Sequence, residues 1–229
     1  MLRVLTYNIA FEVSEGVISK GVKVRCKMNE CINNIIDFIN DNNFDIICFQ
    51  ETSKWGEIMN STWLKDYNYF NTISEKDNLT IFWNQKLSNP RFMRGSQFSI
   101  GRPFQFIYFL SKRICLINLH TGHEIGEYKR LNSLLTESEI ELFNNHDNIV
   151  IIAGDFNESL PKDLKILNRS FNGVHSLMTC CDSSLGINKN YSEPFDYVLS
   201  TNPINKIKVF DEASFLHSDH LPVSAEILI

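Results

Sequence analysis

The sequence predicts an α/β fold rich in strands and poor in helices. Three observations carry that expectation. Apolar runs of strand length recur along the whole chain, only two stretches show helical periodicity, and nearly every buried-type run ends in a polar residue.

Leu2 to Ile9 alternates and is rich in β-favouring residues, so a strand opens the chain. Val24, Met28, Ile32, Ile35, Ile36 and Ile39 recur at three- and four-residue spacing and predict an amphipathic helix over 24–41. Asp41-Asn42-Asn43 ends it. Phe44 to Gln50 is a short apolar run between turn residues, the pattern of a buried strand. Leu79 to Trp83, Phe104 to Leu110 and Arg113 to Leu119 are further strands, the last two joined as a hairpin at Ser111-Lys112. Leu131, Leu134, Leu135, Leu142 and Phe143 predict a second amphipathic helix across Glu127 to Phe143. Asn148 to Ala153, Phe195 to Ser200, Lys206 to Phe210 and Val223 to Ile229 complete the strands. The second half repeats the order strands, helix, strand without repeating sequence. The 6 prolines are scattered and no Gly/Ser tract interrupts the chain, so residues 1–229 read as a single domain.

Composition removes several classes. With 43% hydrophobic and 12% aromatic residues over 229 positions, the chain has enough to build a core and is not disordered. No apolar run approaches the roughly 20 residues of a membrane-spanning helix. The 10 glycines, with no self-similar period, exclude collagen-like and repeat architectures. Net charge is −5, from 22 Lys plus Arg against 27 Asp plus Glu. That balance argues against tight non-specific coating of nucleic acid. It permits a catalyst whose bound cation offsets its own carboxylates.

The 6 cysteines contain no CxxC pair, which disfavours a zinc ribbon or thioredoxin-type site. Cys48 and Cys115 lie inside apolar runs as small core residues, and adjacent Cys180 and Cys181 are poor candidates for a mutual disulfide. A reduced setting is expected, cytoplasmic or otherwise intracellular, because the first residues show no apolar leader or cleavage site. No basic amphipathic helix or lipidation signal calls for stable membrane association, and a monomer is expected.

The chemistry sits at the strand ends. The first strand carries Asn8, the second delivers Gln50-Glu51, and 113–119 delivers His120. The strand around 149–154 delivers Asp155 and Asn157, residues 195–200 open with Asp196, and Ser218-Asp219-His220 precedes the last strand. Residues at the ends of packed strands are held rigidly and face a common rim, where a catalytic constellation belongs in a layered α/β fold. Carboxylates without a thiolate cluster favour a hard cation, Mg²⁺ or Mn²⁺. Histidine beside carboxylates suits acid–base work or charge stabilisation on a phosphate. Each residue alone has a plainer reading. Asn8 can be a turn residue, Glu51 a cap, Asp155 with Asn157 an Asx-turn, His120 a satisfied core histidine, and Ser218-Asp219-His220 a loop. Their joint occurrence points instead to metal-assisted phosphoryl chemistry with water as nucleophile.

Six blocks now resemble the endonuclease/exonuclease/phosphatase superfamily: Thr6-Tyr7-Asn8-Ile9, Ile47-Cys48-Phe49-Gln50-Glu51, Asn118-Leu119-His120, Ile152-Ala153-Gly154-Asp155-Phe156-Asn157, Phe195-Asp196-Tyr197-Val198-Leu199 and Ser218-Asp219-His220-Leu221-Pro222-Val223. They span residues 6 to 223 in the family's order. The resemblance implies a DNase I-like fold, a four-layered α/β sandwich of two mixed β-sheets packed face to face with helices outside. It implies Glu51 as the principal metal ligand, with Asn8 and Asp219 close to the metal or phosphate. Asp155 would orient or deprotonate the attacking water, and Asn157 would bind the scissile phosphate or fix Asp155. His220 would stabilise the transition state, Asp196 would pair with it, and His120 would be a second phosphate-facing histidine. His120 also argues against the AP-endonuclease branch, which has tyrosine in this region. That branch's Lys- and Gly-rich segment has no counterpart either; Glu75 to Thr80 occupies its place.

Family members act on nucleic acids, phosphoinositides and sphingomyelin, so fold does not settle substrate. Lys20, Lys23, Arg25 and Lys27 form one basic cluster. Arg91, Arg94 and Arg102 form another in a Gly-containing loop, interleaved with Phe92, Phe98 and Phe104. Interleaved basic and aromatic residues suit a nucleic-acid strand, and solvated faces or loop packing would give the same pattern. Arg94, Arg102 and His123, the last in the loop after His120, are the candidate substrate-binding residues. Trp55 and Trp63 fit core packing better than base stacking. The expectation is a Mg²⁺-dependent phosphodiesterase acting on nucleic acid; the alternatives are a phosphatase or phospholipase on a small phosphorylated or lipid substrate, and a non-catalytic scaffold.

Overall fold

The computed structural model describes residues 1–9, 28–52, 65–74, 77–99, 102–180, 191–211 and 218–229. In chain order the elements are β1 (Leu2–Asn8), α1 (Met28–Asn42), β2 (Ile46–Gln50), β3 (Tyr67–Ile73), β4 (Asn78–Asn84), β5 (Phe92–Ser99), β6 (Arg102–Phe109), β7 (Ile114–His120), α2 (Leu131–Leu134), α3 (Glu137–Asn144), β8 (Ile149–Asp155), two-residue β9 (Lys165–Ile166) and β10 (Arg169–Ser170), β11 (Asp196–Ser200), β12 (Ile204–Val209) and β13 (Val223–Ile227).

A six-stranded sheet runs β12-β13-β1-β2-β4-β3, and a five-stranded sheet runs β11-β8-β7-β6-β5. Each is mixed, with one parallel pair at its centre: β1 with β2 and β7 with β8. In each case a helical segment carries the chain back to the start of the second strand, as a parallel connection requires. The sheets meet face to face through Val4, Ile46, Cys48, Ile81 and Ala225 on one side and Ile107, Leu116, Ile151 and Val198 on the other. Ile35 and Ile39 of α1 cover the outer face of the first sheet against Leu5, Ile47 and Phe82. Tyr128, Leu131, Leu135 and Phe143 cover the outer face of the second. The result is the expected four-layered α/β sandwich.

The predicted strands are present with ends shifted by a few residues, and the hairpin after β6 turns at Leu110–Lys112 with Arg113 left-handed at φ 53°. The start of the predicted first helix, residues 24–27, lies outside the described residues, as do the first lysine cluster, Trp55 and Trp63. The second helix is not continuous. A 3-10 turn at Glu127–Arg130 leads into α2, Leu135 is extended at ψ 139°, and α3 restarts at Glu137. Thr136 caps that restart: its hydroxyl accepts from Glu139 N–H, and Glu139 accepts from Thr136 N–H, a complete capping box.

Besides the two-residue β9 and β10, two longer strands were not foreseen, β3 and β5. Their presence corrects the reading of Arg94 and Arg102, which do not share a loop; Arg94 lies on β5 and Arg102 opens β6. Arg94 is moreover committed. Its Nε and Nη2 each donate to Glu139 at 2.6 Å, Nη2 also donates to Leu134 O, and the guanidinium lies 4.9 Å from the Phe104 ring centroid. It fastens β5 to α3.

Candidate active site

The parallel pairs aim their carboxyl ends at one place. Asn8 pairs with Gln50 at the end of β1 and β2, and His120 pairs with Asp155 at the end of β7 and β8. Asp196 pairs with Asp155 across β11 and β8, which brings a third carboxyl element to the rim. Gly154, just before Asp155, has φ +155°, and a Cβ there would overlap the carbonyl of Leu119. Only glycine lets β8 approach β7 closely enough to bring Asp155 alongside His120.

Asn8 bridges the sheets. Its buried Nδ2 donates to Asp155 Oδ2 at 2.9 Å and to Glu51 Oε1 at 3.3 Å. Asp155 Oδ1 accepts from Asn157 N–H at 2.9 Å, while the Asn157 amide donates to Thr121 O at 2.8 Å. The contact to Asp155 thus comes from the Asn157 backbone, and the side chain ties the loop to Thr121. Ser218 Oγ donates to Asn8 O at 2.7 Å and accepts from His220 N–H at 3.0 Å, which ties the Ser-Asp-His turn to β1.

Two histidines flank Asp155. His220 Nδ1 lies 2.8 Å from Asp196 Oδ2, with Nε2 turned toward Asp155 at 3.6 Å and Asp219 at 3.9 Å. His120 Nδ1 lies 2.6 Å from Asp77 Oδ2, with Nε2 3.4 Å from Asp155 Oδ2. Asp77 is the residue the sequence did not reveal. It is buried, also accepts from Glu51 N–H at 2.9 Å, and duplicates for His120 what Asp196 does for His220. The Arg102 guanidinium stands beside this group, 3.8 Å from Glu51 and 3.6 Å from Asp77. His123 is exposed in the loop beyond His120, and Asp219 keeps 32% of its side chain exposed at the rim.

The electrostatics follow from burial against pairing. Burial lowers His220, but Asp196 and Asp155 outweigh it and hold the ring well above its ordinary value. Burial likewise lowers His120, and Asp77 and Asp155 raise it further than burial lowers it. Burial pushes Asp155 up, yet the two histidines bring it below the usual carboxylate range. Asp196 goes the other way; burial lifts it to about 6 despite its histidine. Glu51 is also raised, by burial first, with Asp77 adding repulsion.

Glu51 supplies the test for a cation. Burial holds this carboxylate raised even with two histidines nearby and the Arg102 guanidinium at 3.8 Å. Glu51, Asn8 and Asp219 offer oxygen donors, the type a hard divalent ion takes, and by that donor chemistry they fit such an ion. A second compact group, Asp155, Asp196 and His220, brings one donor atom from each within 4.8 Å, all buried. There the metal would have to displace the proton that the two carboxylates hold on His220.

Two site residues have unusual backbones. Glu51 sits at φ 54° and Asn157 at φ 50°, a region that glutamate in particular rarely occupies. Disulfide-bonded Cys180 places its Sγ 3.2 Å from His220 Nε2, a departure from the reduced setting expected of the cysteines.

The comparisons with known proteins agree with this fold. A viral relative, the uncharacterized protein L684 of Acanthamoeba polyphaga mimivirus, is 27% identical over 99% of this chain. The chain spans about half of that relative's length, 50%. A mannosyl-6-phosphatase of Bacteroides thetaiotaomicron has a similar structure, with a TM-score of 0.74 at 16% identity and 100% of both chains covered. Truncated TDP2 of Caenorhabditis elegans matches with a TM-score of 0.68 at 14% identity, covering 100% of this chain and 98% of the other. An AP endonuclease of Archaeoglobus fulgidus matches with a TM-score of 0.63 at 17% identity over 100% of both. The sequence model of the Endonuclease/Exonuclease/phosphatase family matches residues 5–220, nearly the whole of the sandwich and every residue of the site. By that match and by its layered fold, the chain belongs to the endonuclease/exonuclease/phosphatase family.

Proposed function

We propose that this protein is a divalent-metal-dependent hydrolase of phosphoric esters, with a phosphodiester of DNA or RNA as substrate and water as nucleophile. The observation that carries the reading is buried Asp155 flanked by two buried histidines, each with Nδ1 against its own buried carboxylate. A Mg²⁺ or Mn²⁺ ion at Glu51, Asn8 and Asp219 would neutralise charge on the phosphate. The side chains do the rest. Asp155, its Oδ1 and Oδ2 fixed by Asn157 and Asn8, aligns the attacking water and takes its proton. His220 donates from Nε2 to a phosphate oxygen as charge develops in the transition state, and His120 stands ready to do the same from the opposite side of Asp155. Arg102 lies where it can bind a further phosphate oxygen.

The second reading, a phosphatase acting on a small phosphorylated molecule, is favoured by one finding. With Arg94 locked to Glu139, the basic strip proposed for a nucleic-acid strand shrinks to Arg102 and exposed Arg91. The deciding experiment measures Mg²⁺-dependent product release from labelled single- and double-stranded DNA and RNA, alongside a panel of phosphate monoesters. Asp155→Asn is run in parallel. Cleavage of nucleic acid that disappears in the variant and in EDTA supports the first reading. Release of phosphate from monoesters alone moves the assignment to the second, and turnover unchanged in the variant refutes both.

A further inference from the structure

The interior between the two sheets is stratified. Deepest lie Leu2, Val4, Ile46, Ile114, Leu116 and Ile151, all apolar. At the rim lie the ionised groups of the site. Between them stands a layer of neutral polar side chains, each with no exposure: Thr6, Gln50, Gln105 and Asn118. Gln50 Nε2 donates to Asn118 Oδ1 at 2.8 Å and to Thr6 Oγ1 at 3.1 Å. Asn118 Nδ2 donates to Gln105 Oε1 at 3.0 Å and to Phe49 O at 3.2 Å. Gln105 Nε2 then returns to the first sheet, to Phe70 O at 2.8 Å and Leu79 O at 3.1 Å.

This chain of bonds crosses the gap between sheets twice. Thr6 and Gln50 belong to β1 and β2, Asn118 and Gln105 to β7 and β6, and Phe70 and Leu79 to β3 and β4. The apolar layer below it attracts the sheets without fixing how they slide, because apolar contact is non-directional. Hydrogen bonds between buried amides do fix it, since an unmatched amide in that layer is costly. The residues that need the fixing are one step away along each strand. Glu51 follows Gln50, Asn8 is two past Thr6, and His120 is two past Asn118.

We propose that Gln50 and Asn118 are positioning residues, whose amide bond sets the placement of Glu51 and Asn8 on one sheet against His120 and Asp155 on the other. The proposal rests on the hydrolase reading for its kinetic consequence, and on geometry alone for its structural one.

The test is the paired replacement Gln50→Met with Asn118→Leu. It removes the central bond from both sides and keeps side-chain volume, but leaves buried Gln105 Oε1 without its Asn118 donor, so a lower melting midpoint is expected alongside. In the folded variant kcat is expected to fall about 10- to 100-fold while KM moves little, as a misplacement near 1 Å does. Mn²⁺ affinity, read by electron paramagnetic resonance without turnover, is expected to weaken. The ring resonances of His120 and His220 in NMR spectra are expected to shift. Unchanged kcat, Mn²⁺ affinity and ring signals in a folded variant would overturn the proposal and leave the layer as mere filling. Should the pair fail to fold, Gln105→Met removes the far bond of the same chain without touching a site residue; the same shifts, smaller, are expected, and their absence is equally fatal. Wild-type protein that hydrolyses no phosphoric ester refutes the functional reading only, because the ring resonances still decide the positioning role.

Discussion

Replacing Asp196 with Asn is the sharpest probe of the site. Asp196 Oδ2 and His220 Nδ1 are 2.8 Å apart and both side chains are buried. Two unit charges at that separation attract by about 6 kcal/mol at an effective dielectric of 20. Desolvation of both groups takes back the larger part of that. Asn keeps the shape and loses the charge, so only Asp155 and Asp219 are left to offset burial and the His220 ring loses its proton at lower pH than in the wild type. A neutral ring whose Nδ1–H still points at the Asn oxygen has no proton on Nε2 to give. Loss of one such donor lowers kcat by about 100- to 1000-fold, equivalent to roughly 3–4 kcal/mol. The pH–rate profile discriminates this from simple damage. In the wild type, activity is expected to rise through about pH 6 as Asp196 ionises and to fall on the alkaline side as His220 deprotonates. In Asp196→Asn the acid limb disappears and the alkaline limb moves to lower pH. A variant that loses less than about 10-fold, or that keeps the wild-type alkaline limb, would refute the assignment of His220 as a charged donor.

Other outcomes can be read more simply. Glu51→Gln should raise the Mg²⁺ concentration for half-maximal activity by about 10-fold or more, and an unchanged titration would remove Glu51 from the ligand set. Asp77→Asn should lower kcat by about 10-fold or more and shift the His120 ring signal, since Asp155 is then left to offset burial and Arg102 by itself; an unmoved signal would make Asp77 a structural bystander. In EDTA, the melting midpoint should fall as pH rises. The two histidines have raised values in the fold, so their stabilisation is complete below the unfolded value of 6.5 and is lost as pH climbs through the folded ones. Raised Glu51 and Asp196 act in the same direction at lower pH, while lowered Asp155 opposes them below its ordinary value of 3.8, so a midpoint that climbs with pH through the histidine range would contradict the charge assignment. Gly154→Ala should destabilise by more than about 3 kcal/mol, because its methyl group meets backbone rather than a side chain that can move; urea denaturation near the wild-type midpoint would show that β8 can retreat from β7.

Much of the molecule was legible because the site occupies the ends of strongly apolar strands. Each of Asn8, Glu51, His120, Asp155 and Asp196 stands out as a polar residue where a buried run stops. Asp77 does not, since it lies in the polar segment Glu75 to Asn78 with no apolar frame around it. Its importance comes from the fold, which brings it beneath His120, 43 residues away. Strands β3 and β5 were missed for a related reason. Both are sheet edges, and edges carry polar residues such as Asn68, Asn71, Arg94 and Ser96 that blunt pairing with other chains. The same alternation made Arg94 look like part of a nucleic-acid strip, when its neighbour Phe104 and its partner Glu139 hold it in the fold. The break in the second helix was readable in principle. Thr136 and Glu139 have capping-box spacing, but the leucines on either side continued the helical period and concealed it.

The divided parallel pairs also bear on how the protein comes to be active. One half of the site is carried by β1 and β2, the other by β7, β8 and β11, and the bonds that join them span great stretches of chain. Asn8 meets Asp155 across 147 residues, and within the first sheet Ser218 meets Asn8 across 210. Contacts of such sequence separation form late, after the loop-closure entropy has been overcome. Local hairpins and helices can form first, but the first sheet closes only when β13 pairs with β1, Leu2 opposite Ile227. Activity recovered during refolding should therefore lag the return of secondary structure measured by circular dichroism, and a nascent chain should be inert until the segment containing His220 has been made.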